Sequence, residues 1–322
     1  MSHAVLLRQP GPPENFSWED VAVPLPGPGE AQLQQTAAGI NFIDTQFRSG
    51  LYKVGDLPAI LGREGAGTVV AVGDGVTEVK VGERAAYASQ MGAYTEVRNV
   101  RADRLVVLPD SIADETAAAM MLKGLTAQYL VRQVRAPVAG DVVLVHAAAG
   151  GVGLIACQWA KHMGATVIGT VGSDSKIDTA RVHGCDHVVN YESEDFAARV
   201  KEITQGHGAD AILDSVGLKT FEKSMAALAP FGTLSHYGSA SGAVPAELFA
   251  RLPMDRYFIR PTLPGFSAKR EDLLRMADDL FAAVTSGAVK IEINQTFDLR
   301  DAAEAHTALE TRQTTGSTVL RI

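Results

Sequence analysis

Residues 142–161, VVLVHAAAGGVGLIACQWAK, constrain this chain more than any other stretch. An apolar run of strand length passes into a glycine-containing turn and then into residues of helical composition, so the backbone must turn tightly from strand to helix. Residues 142–160 carry no charged side chain, and about 20 such residues could span a bilayer. Glycines at the centre, with Asp141 and Lys161 at the ends, argue instead for a buried strand, a turn and a helix. The same alternation continues through TVIGTV and helical residues to His183, HVVNY and DFAARVKEITQ, AILDSV and a further helix, and TLSHYG. Within DFAARVKEITQ, Phe196, Val200 and Ile203 share one helical face. Repeated β-α units of this kind predict an α/β chain with a doubly wound parallel sheet.

The residues ahead of this repeat have a different texture. Short alternating segments, AVLLRQ, AQLQQTAAGI, AGTVVAVG and RAAYAS, are broken by glycine and proline, which predicts an antiparallel, barrel-like domain. At Asp114 the chain turns helical, DETAAAMMLKGLTAQYLVRQV, with Asp114 expected as the helix cap. A boundary placed inside this helix gives a first domain at 1–123 and a nucleotide-type domain at 124–261. Residues 262–322 hold a helix with Leu273, Leu274, Ala277, Leu280, Phe281 and Val284 on one stripe and are expected to rejoin the first domain. A length of 322 residues suffices for two domains with separate cores.

Charge and cysteine content narrow the partners. Lys plus Arg is 29 and Asp plus Glu is 37, a net charge of −8 with no basic block, so nucleic acid is not an expected partner. Cys157 and Cys185 are too few for a disulfide framework and suit a reducing compartment. MSHAVLLRQPG shows no secretory or transit pattern, so the expected location is the cytoplasm, without a membrane.

The turn AAAGGVG, residues 147–153, occupies the position that binds a dinucleotide pyrophosphate. Gly150 lets the backbone approach the phosphates, Gly153 permits close helix-to-strand packing, and the helix N-terminus offers unpaired N–H groups to negative charge. Ala148 stands where the first glycine is usual, and a tight turn without a ligand is the alternative reading. The second strand should end about 20 residues beyond the glycines, where NAD-binding folds place an acid against the ribose hydroxyls. Gly172 and Ser173 occupy that tip and Lys176 lies one turn away, which favours NADPH over NADH. An inward-pointing Asp174 would weaken that preference, and Lys176 could be merely a solvated lysine.

From Gly62 the chain reads GREGAG, and with its domain order it resembles the medium-chain dehydrogenase/reductase superfamily. The zinc alcohol dehydrogenases of that superfamily carry a His ligand in this segment, where this chain has Arg63. No cysteine lies in the first domain, so no metal site is expected. Without a metal electrophile the acceptor must delocalise the charge it receives, as a quinone does by becoming an aromatic phenolate and an activated alkene by becoming an enolate.

INFIDTQFRSGLY (40–52), LKGLTA (122–127), HAAAGGVGLIACQWAK (146–161), IGTVG, DSVG and IRPTLPG narrow the resemblance to the quinone oxidoreductase, zeta-crystallin-like family and its bacterial NADPH:quinone reductases. It covers essentially the whole chain. The resemblance implies a GroES-like β-barrel catalytic domain plus a Rossmann domain, NADPH as cofactor and a small-molecule quinone in the cleft between them. It also implies a homodimer, through an edge strand near YFIRP, and leaves hydroquinone and semiquinone products both open.

By this resemblance Asn41, Thr126, Gly150, Gly151, Val152 and Gly153 contact the nicotinamide or pyrophosphate. Ser173, Lys176, Tyr191 and Arg312 face the 2′-phosphate, and Tyr237, Gly238 and Ser239 line the nicotinamide ribose. Lys176 and Arg312 can both pair with a phosphate, although Arg312 could be a surface arginine. Asn41, Asp44, Tyr52 and Arg260 are implied around the acceptor, with Tyr52 or a water bonding its oxygen and Arg260 stabilising negative charge. The alternatives are a helix cap for Asp44 and a dimer edge for Arg260. Gln46 sits where some relatives carry an aromatic residue and would make the quinone site more polar.

His183, Cys185 and His187 lie in a helix-to-strand connection without a fourth ligand and are not expected to hold metal. His146 is expected as a buried, hydrogen-bonded histidine, and Cys157 as inert packing. Reduction of an activated carbon-carbon double bond, in an enone or acrylate, is the enzymatic alternative. Relatives also serve as lens crystallins or bind RNA, so an NADPH-sensitive RNA-binding protein is the non-catalytic alternative, disfavoured by the acidic charge balance.

Overall fold

The computed structural model describes residues 2–322. Two compact units divide the chain: one comprises the residues up to Lys123 with Ser267–Phe281 and Ile291–Ile322, the other Gly124–Phe266 with Ala282–Lys290.

The first unit begins with β1 (Ser2–Leu7), β2 (Phe16–Val21) and β3 (Glu30–Ile40), followed by α1 (Phe42–Arg48) and then β4 (Ala59–Ile60), β5 (Glu64–Val72), β6 (Arg84–Ala88), β7 (Val97–Arg101) and β8 (Val106–Val107). β1 pairs antiparallel with β2 and β4, and β3 pairs antiparallel with both β5 and β7. Two register shifts between β3 and β5 add twist, as bulges do where a sheet curls toward a barrel. The alternating apolar residues meet inside this curl, where Leu7, Leu33, Ile40, Leu61, Val69, Tyr87 and Tyr94 are buried together.

α2 (Asp114–Gln128) follows and widens into a π-helical turn over Tyr129–Val134. Its first residue corrects the capping expectation: the Asp114 carboxylate accepts from Thr36 Oγ1 at 2.7 Å and Arg84 Nε at 2.8 Å, tying the helix to the sheet. A guanidinium partner binds the carboxylate more strongly than the helix's own N–H groups. The division between the two units falls inside α2, between Lys123 and Gly124.

The second unit alternates β9 (Val142–Val145), α3 (Gly151–His162), β10 (Thr166–Val171), α4 (Ile177–Val182), β11 (His187–Asn190) and α5 (Phe196–Ile203). It continues through β12 (Ala209–Asp214), α6 (Phe221–Ala227), β13 (Leu228–His236), α7 (Ala246–Phe249), β14 (Tyr257–Ile259) and α8 (Leu263–Phe266). All six strands are parallel, in the order β11-β10-β9-β12-β13-β14. This is the doubly wound order, with the reversal between β9 and β12, where ligands bind at the carboxyl ends of the strands. Leu144, Ile168, Val189, Ile212 and Leu234 are buried in the sheet beneath Phe196 and Phe221, which accounts for the uninterrupted apolar runs. Residues 142–160 are thus β9, a turn and α3, and among the described residues no helix is long and apolar enough to cross a membrane.

The chain closes with α9 (Arg270–Thr285), β15 (Ile293–Asp298), α10 (Ala302–Glu310) and β16 (Ser317–Arg321). β15 pairs parallel with β16, and β16 pairs antiparallel with β3, so the last residues complete the seven-stranded sheet of the first unit. The architecture is the two-domain α/β fold expected from the sequence, a GroES-like antiparallel unit and a Rossmann sheet.

Candidate active site

The turn between β9 and α3 is built for a ligand that approaches its backbone. A Cβ at Gly153 would lie 2.2 Å from the Ala147 carbonyl oxygen and 2.9 Å from Ala148 Cα, so the helix can start against the turn only with glycine there. Gly150 is the N-cap residue and no side chain caps the helix, which leaves the first-turn N–H groups of Gly151, Val152 and Gly153 facing outward. Ala147 adopts a left-handed conformation, φ 51°, held by the bond from Ala148 N–H to Thr170 O. This helix terminus, with its positive dipole end at the carboxyl edge of a parallel sheet, fits a dinucleotide pyrophosphate.

The tip of β10 fits the adenosine end. Gly172 is covered by Tyr191, whose hydroxyl would lie 2.8 Å from a Cβ there. Ser173 Oγ bonds Ser175 Oγ at 2.9 Å, and Lys176 ends the short 3₁₀ turn that follows. Asp174 at the same tip is exposed, and its Oδ1 accepts from Asn190 Nδ2 at 2.8 Å. Ser173, Lys176 and Tyr191 are gathered at one strand end. Arg312 belongs to the first unit, exposed just beyond α10 in a left-handed conformation, φ 60°.

The turns after β12 and β13 are pressed together. Gly238 could not carry a Cβ without lying 2.9 Å from the Ser215 carbonyl oxygen, and one on Gly217 would lie 3.1 Å from Ser239 Cα. Between them the Tyr237 backbone N–H donates to Asp214 O at 2.9 Å, and burial pushes its phenol pKa up. Thr126 is buried in α2 and hydrogen-bonded with Tyr129.

In the first unit, α1 and β5 bring Asn41, Asp44 and two further residues together. Glu64, fully buried at the start of β5, accepts from Asn41 Nδ2 at 2.8 Å, from the Leu122 backbone N–H at 2.6 Å and from the Lys123 ammonium. Gly39 on β3 makes this possible, because a Cβ there would lie 2.2 Å from Ala118 O and 2.3 Å from Glu64 Oε1. Asn41 is thereby clamped by a buried ion pair. Asp44, also fully buried, caps α1 by accepting from the Asn41 backbone N–H at 2.9 Å on Oδ2, which also takes the Tyr94 hydroxyl at 3.1 Å. Its Oδ1 has no partner, and burial raises its pKa to about 7. Tyr94 also pairs with His306 Nε2 at 2.9 Å, a histidine whose pKa burial lowers to about 3.

Tyr52 is exposed, its ring 5.6 Å from Phe47. Arg260 lies in the second unit, exposed after β14, with its guanidinium 5.8 Å over the Phe249 ring. The four acceptor residues are thus split three and one between the units. Sequence reasoning missed Glu64, Lys123, Tyr94 and His306. The available signal was a glutamate at the head of the otherwise apolar strand EGAGTVVAV.

Other polar residues of the second unit are accounted for by packing. His146 bonds Thr170 Oγ1 at 2.7 Å and Ser224 Oγ at 2.8 Å, a satisfied core histidine whose pKa burial lowers. Cys157 and Cys185 are buried free thiols with sulfurs 3.4 Å apart, which places Cys185 against the core rather than beside its histidine neighbours. Among the described residues no group of three His, Cys, Asp or Glu side chains could hold a metal ion.

Two family models match the chain, the alcohol dehydrogenase GroES-like domain over residues 27–136 and the zinc-binding dehydrogenase over residues 151–278. A quinone oxidoreductase of Pseudomonas aeruginosa is 49% identical over 99% of both chains. A 2-haloacrylate reductase of a Burkholderia species is 43% identical over 99% of both. The crystal structure of Escherichia coli quinone oxidoreductase complexed with NADPH superimposes with a TM-score of 0.96 at 42% identity, covering 99% of this chain and 100% of that one. Fold and cradle define a two-domain, nucleotide-dependent dehydrogenase/reductase. Within that class, the chain belongs to the quinone oxidoreductase family.

Proposed function

We propose that this chain is an NADPH-dependent reductase that passes reducing equivalents to a quinone. Its whole-length likeness to quinone oxidoreductases carries the reading, and Gly172 and Ser173 in the usual place of an acid, beside Lys176, support NADPH over NADH. When bound, NADPH supplies a hydride from nicotinamide C4, and with one proton the quinone leaves as hydroquinone.

The protein's own part is to bind, orient and hold the proton. The N–H groups of Gly151, Val152 and Gly153, behind Gly150, take the pyrophosphate. Ser173, Lys176, Tyr191 and Arg312 take the 2′-phosphate, and Thr126, Tyr237, Gly238 and Ser239 take the nicotinamide and its ribose. Asn41, immobilised by Glu64, and Tyr52 orient the acceptor. Asp44 holds a proton at its unpartnered Oδ1, with a pKa near the operating pH. Arg260 faces the negative charge that develops on the acceptor. Residues 1–123 and 262–322 form the catalytic domain in this proposal, and 124–261 the nucleotide domain.

We further propose a cytoplasmic homodimer joined through β14, whose outer edge pairs with no strand among the described residues. Reduction of activated carbon-carbon double bonds is a second reading, favoured by the likeness to 2-haloacrylate reductase. The test is the initial rate of NADPH oxidation, with NADH as control, against 1,4-benzoquinone, 9,10-phenanthrenequinone, enones and acrylates. Quinone turnover with NADPH supports the main reading. Turnover confined to the alkenes transfers the assignment to double-bond reduction, and NADPH binding without any turnover refutes both.

A further inference from the structure

Arg63 is a half-buried cation with no hydrogen-bond or ion-pair partner among the described residues. It stands between Gly62 and the clamping residue Glu64, and its Nε is buried without a hydrogen-bond partner. Its guanidinium lies 5.4 Å over the Phe47 ring, and that ring in turn lies 5.6 Å from Tyr52. Phe47 and Asp44 therefore neighbour the guanidinium, and Tyr52 packs against Phe47.

Of the carboxylates near Arg63, Glu64 is committed elsewhere, while Asp44 has one oxygen committed and its Oδ1 unpartnered. Glu64 is engaged by Asn41, Leu122 and Lys123. Asp44 acts on Arg63 through its charge, but its Oδ2 is taken by Asn41 and Tyr94, and no hydrogen bond or ion pair joins it to Arg63 among the described residues. Burial raises the Asp44 pKa to about 7, so its charge compensates Arg63 only in part near neutral pH. A guanidinium has five N–H donors in a fork that matches a carboxylate; leaving the buried Nε unpaired is costly, and the rest of the fork is free to take a carboxylate from outside. A fold that holds one in this state, with an aromatic face below it, is completed by an anionic group from outside the chain.

We propose that Arg63 is the anion-binding residue of the acceptor site, and that the chain takes acceptors carrying a carboxylate next to the conjugated system that is reduced. The inference rests on the reading of this site as the acceptor site of an NADPH-dependent reductase. The carboxylate serves as a handle and undergoes no reaction; hydride and proton go to the conjugated system as for a neutral acceptor.

The probe is 2-carboxy-1,4-naphthoquinone against its methyl ester, with NADPH as donor. The wild type should prefer the acid in kcat/KM. The ratio of acid to ester should fall at least tenfold in Arg63→Gln and be largely restored in Arg63→Lys. Equal losses for acid and ester, or no restoration by lysine, overturn the proposal. A measurement on the unmodified protein guards against a variant that does not fold: benzoate should inhibit competitively with the acceptor, and benzamide at equal concentration should not. Equal inhibition by the two also overturns it. Turnover of the ester by the wild type without discrimination by charge refutes the role of Arg63 and leaves the reductase reading intact, whereas no NADPH oxidation with any quinone removes both.

Discussion

The buried pair of Glu64 and Lys123 should behave as a unit whose halves cannot be removed separately. Glu64 is 0% exposed and Lys123 5%, and the carboxylate takes its three donors without water. Lys123→Met leaves an anion buried with two neutral donors, and Glu64→Gln leaves a buried ammonium while turning an amide donor toward Asn41 or Leu122. Breaking a buried pair in this way costs about 3–5 kcal/mol. The double variant Glu64→Gln/Lys123→Met buries no charge, conserves volume and should lie within about 2 kcal/mol of wild type. The coupling between the two sites is then at least about 4 kcal/mol, above the usual range for contacting residues. Urea unfolding measures it, followed by Trp18 fluorescence in a Trp159→Phe background so that the signal reports the first unit. Single-variant costs that add to within about 0.5 kcal/mol in the double variant would refute the coupling. So would a Lys123→Met cost below about 1 kcal/mol, since the pair would then not be buried in solution.

Asp44 makes stability depend on pH in an unusual direction for an aspartate. Its folded pKa, about 7, lies above the ordinary 3.8, so the native state binds more protons between these values. Its stabilising contribution is complete in acid and is lost as pH rises through 7, by at most about 4 kcal/mol. The unfolding free energy of Asp44→Asn relative to wild type should therefore rise from pH 4.5 to 7 and level off above it, in urea titrations; a pH-independent difference would contradict the burial argument. Gly153→Val should abolish NADPH binding in a fluorescence titration while the circular dichroism of the fold persists, because even a Cβ would meet the Ala147 carbonyl at 2.2 Å. Lys176→Ala should raise KM for NADPH far more than for NADH, and an equal effect on both would remove Lys176 from the 2′-phosphate. Arg312 occupies the left-handed position after α10, where Gln313 N–H closes on Ala308 O at 3.0 Å and glycine is the favoured residue. Arg312→Gly should raise stability by up to about 1 kcal/mol while weakening NADPH and sparing NADH.

Much of the nucleotide unit was legible residue by residue. The turn AAAGGVG and the missing acid at Gly172 and Ser173 are properties of local backbone and side-chain size. The acceptor side was legible only in part. Asn41 and Asp44 lie three residues apart on one short helix, and the capping role of Asp44 follows from that spacing. The pair that clamps Asn41 joins residues 59 apart in sequence, and Tyr94 meets His306 across 212. The expected cap at Asp114 failed for the same reason, since Arg84, 30 residues earlier, takes its carboxylate.

The sequence alone determined both halves of the fold and the strand, glycine turn and helix of the cradle, because strand, turn and helix signals act over neighbouring residues and a glycine declares its own steric role. Only the tertiary structure decided which charges are paired. It buried Glu64 with Lys123, left Asp44 half-satisfied and left Arg63 without a hydrogen-bond or ion-pair partner among the described residues, because desolvation and ion pairing depend on what distant segments bring to within about 3 Å, and no local pattern encodes that.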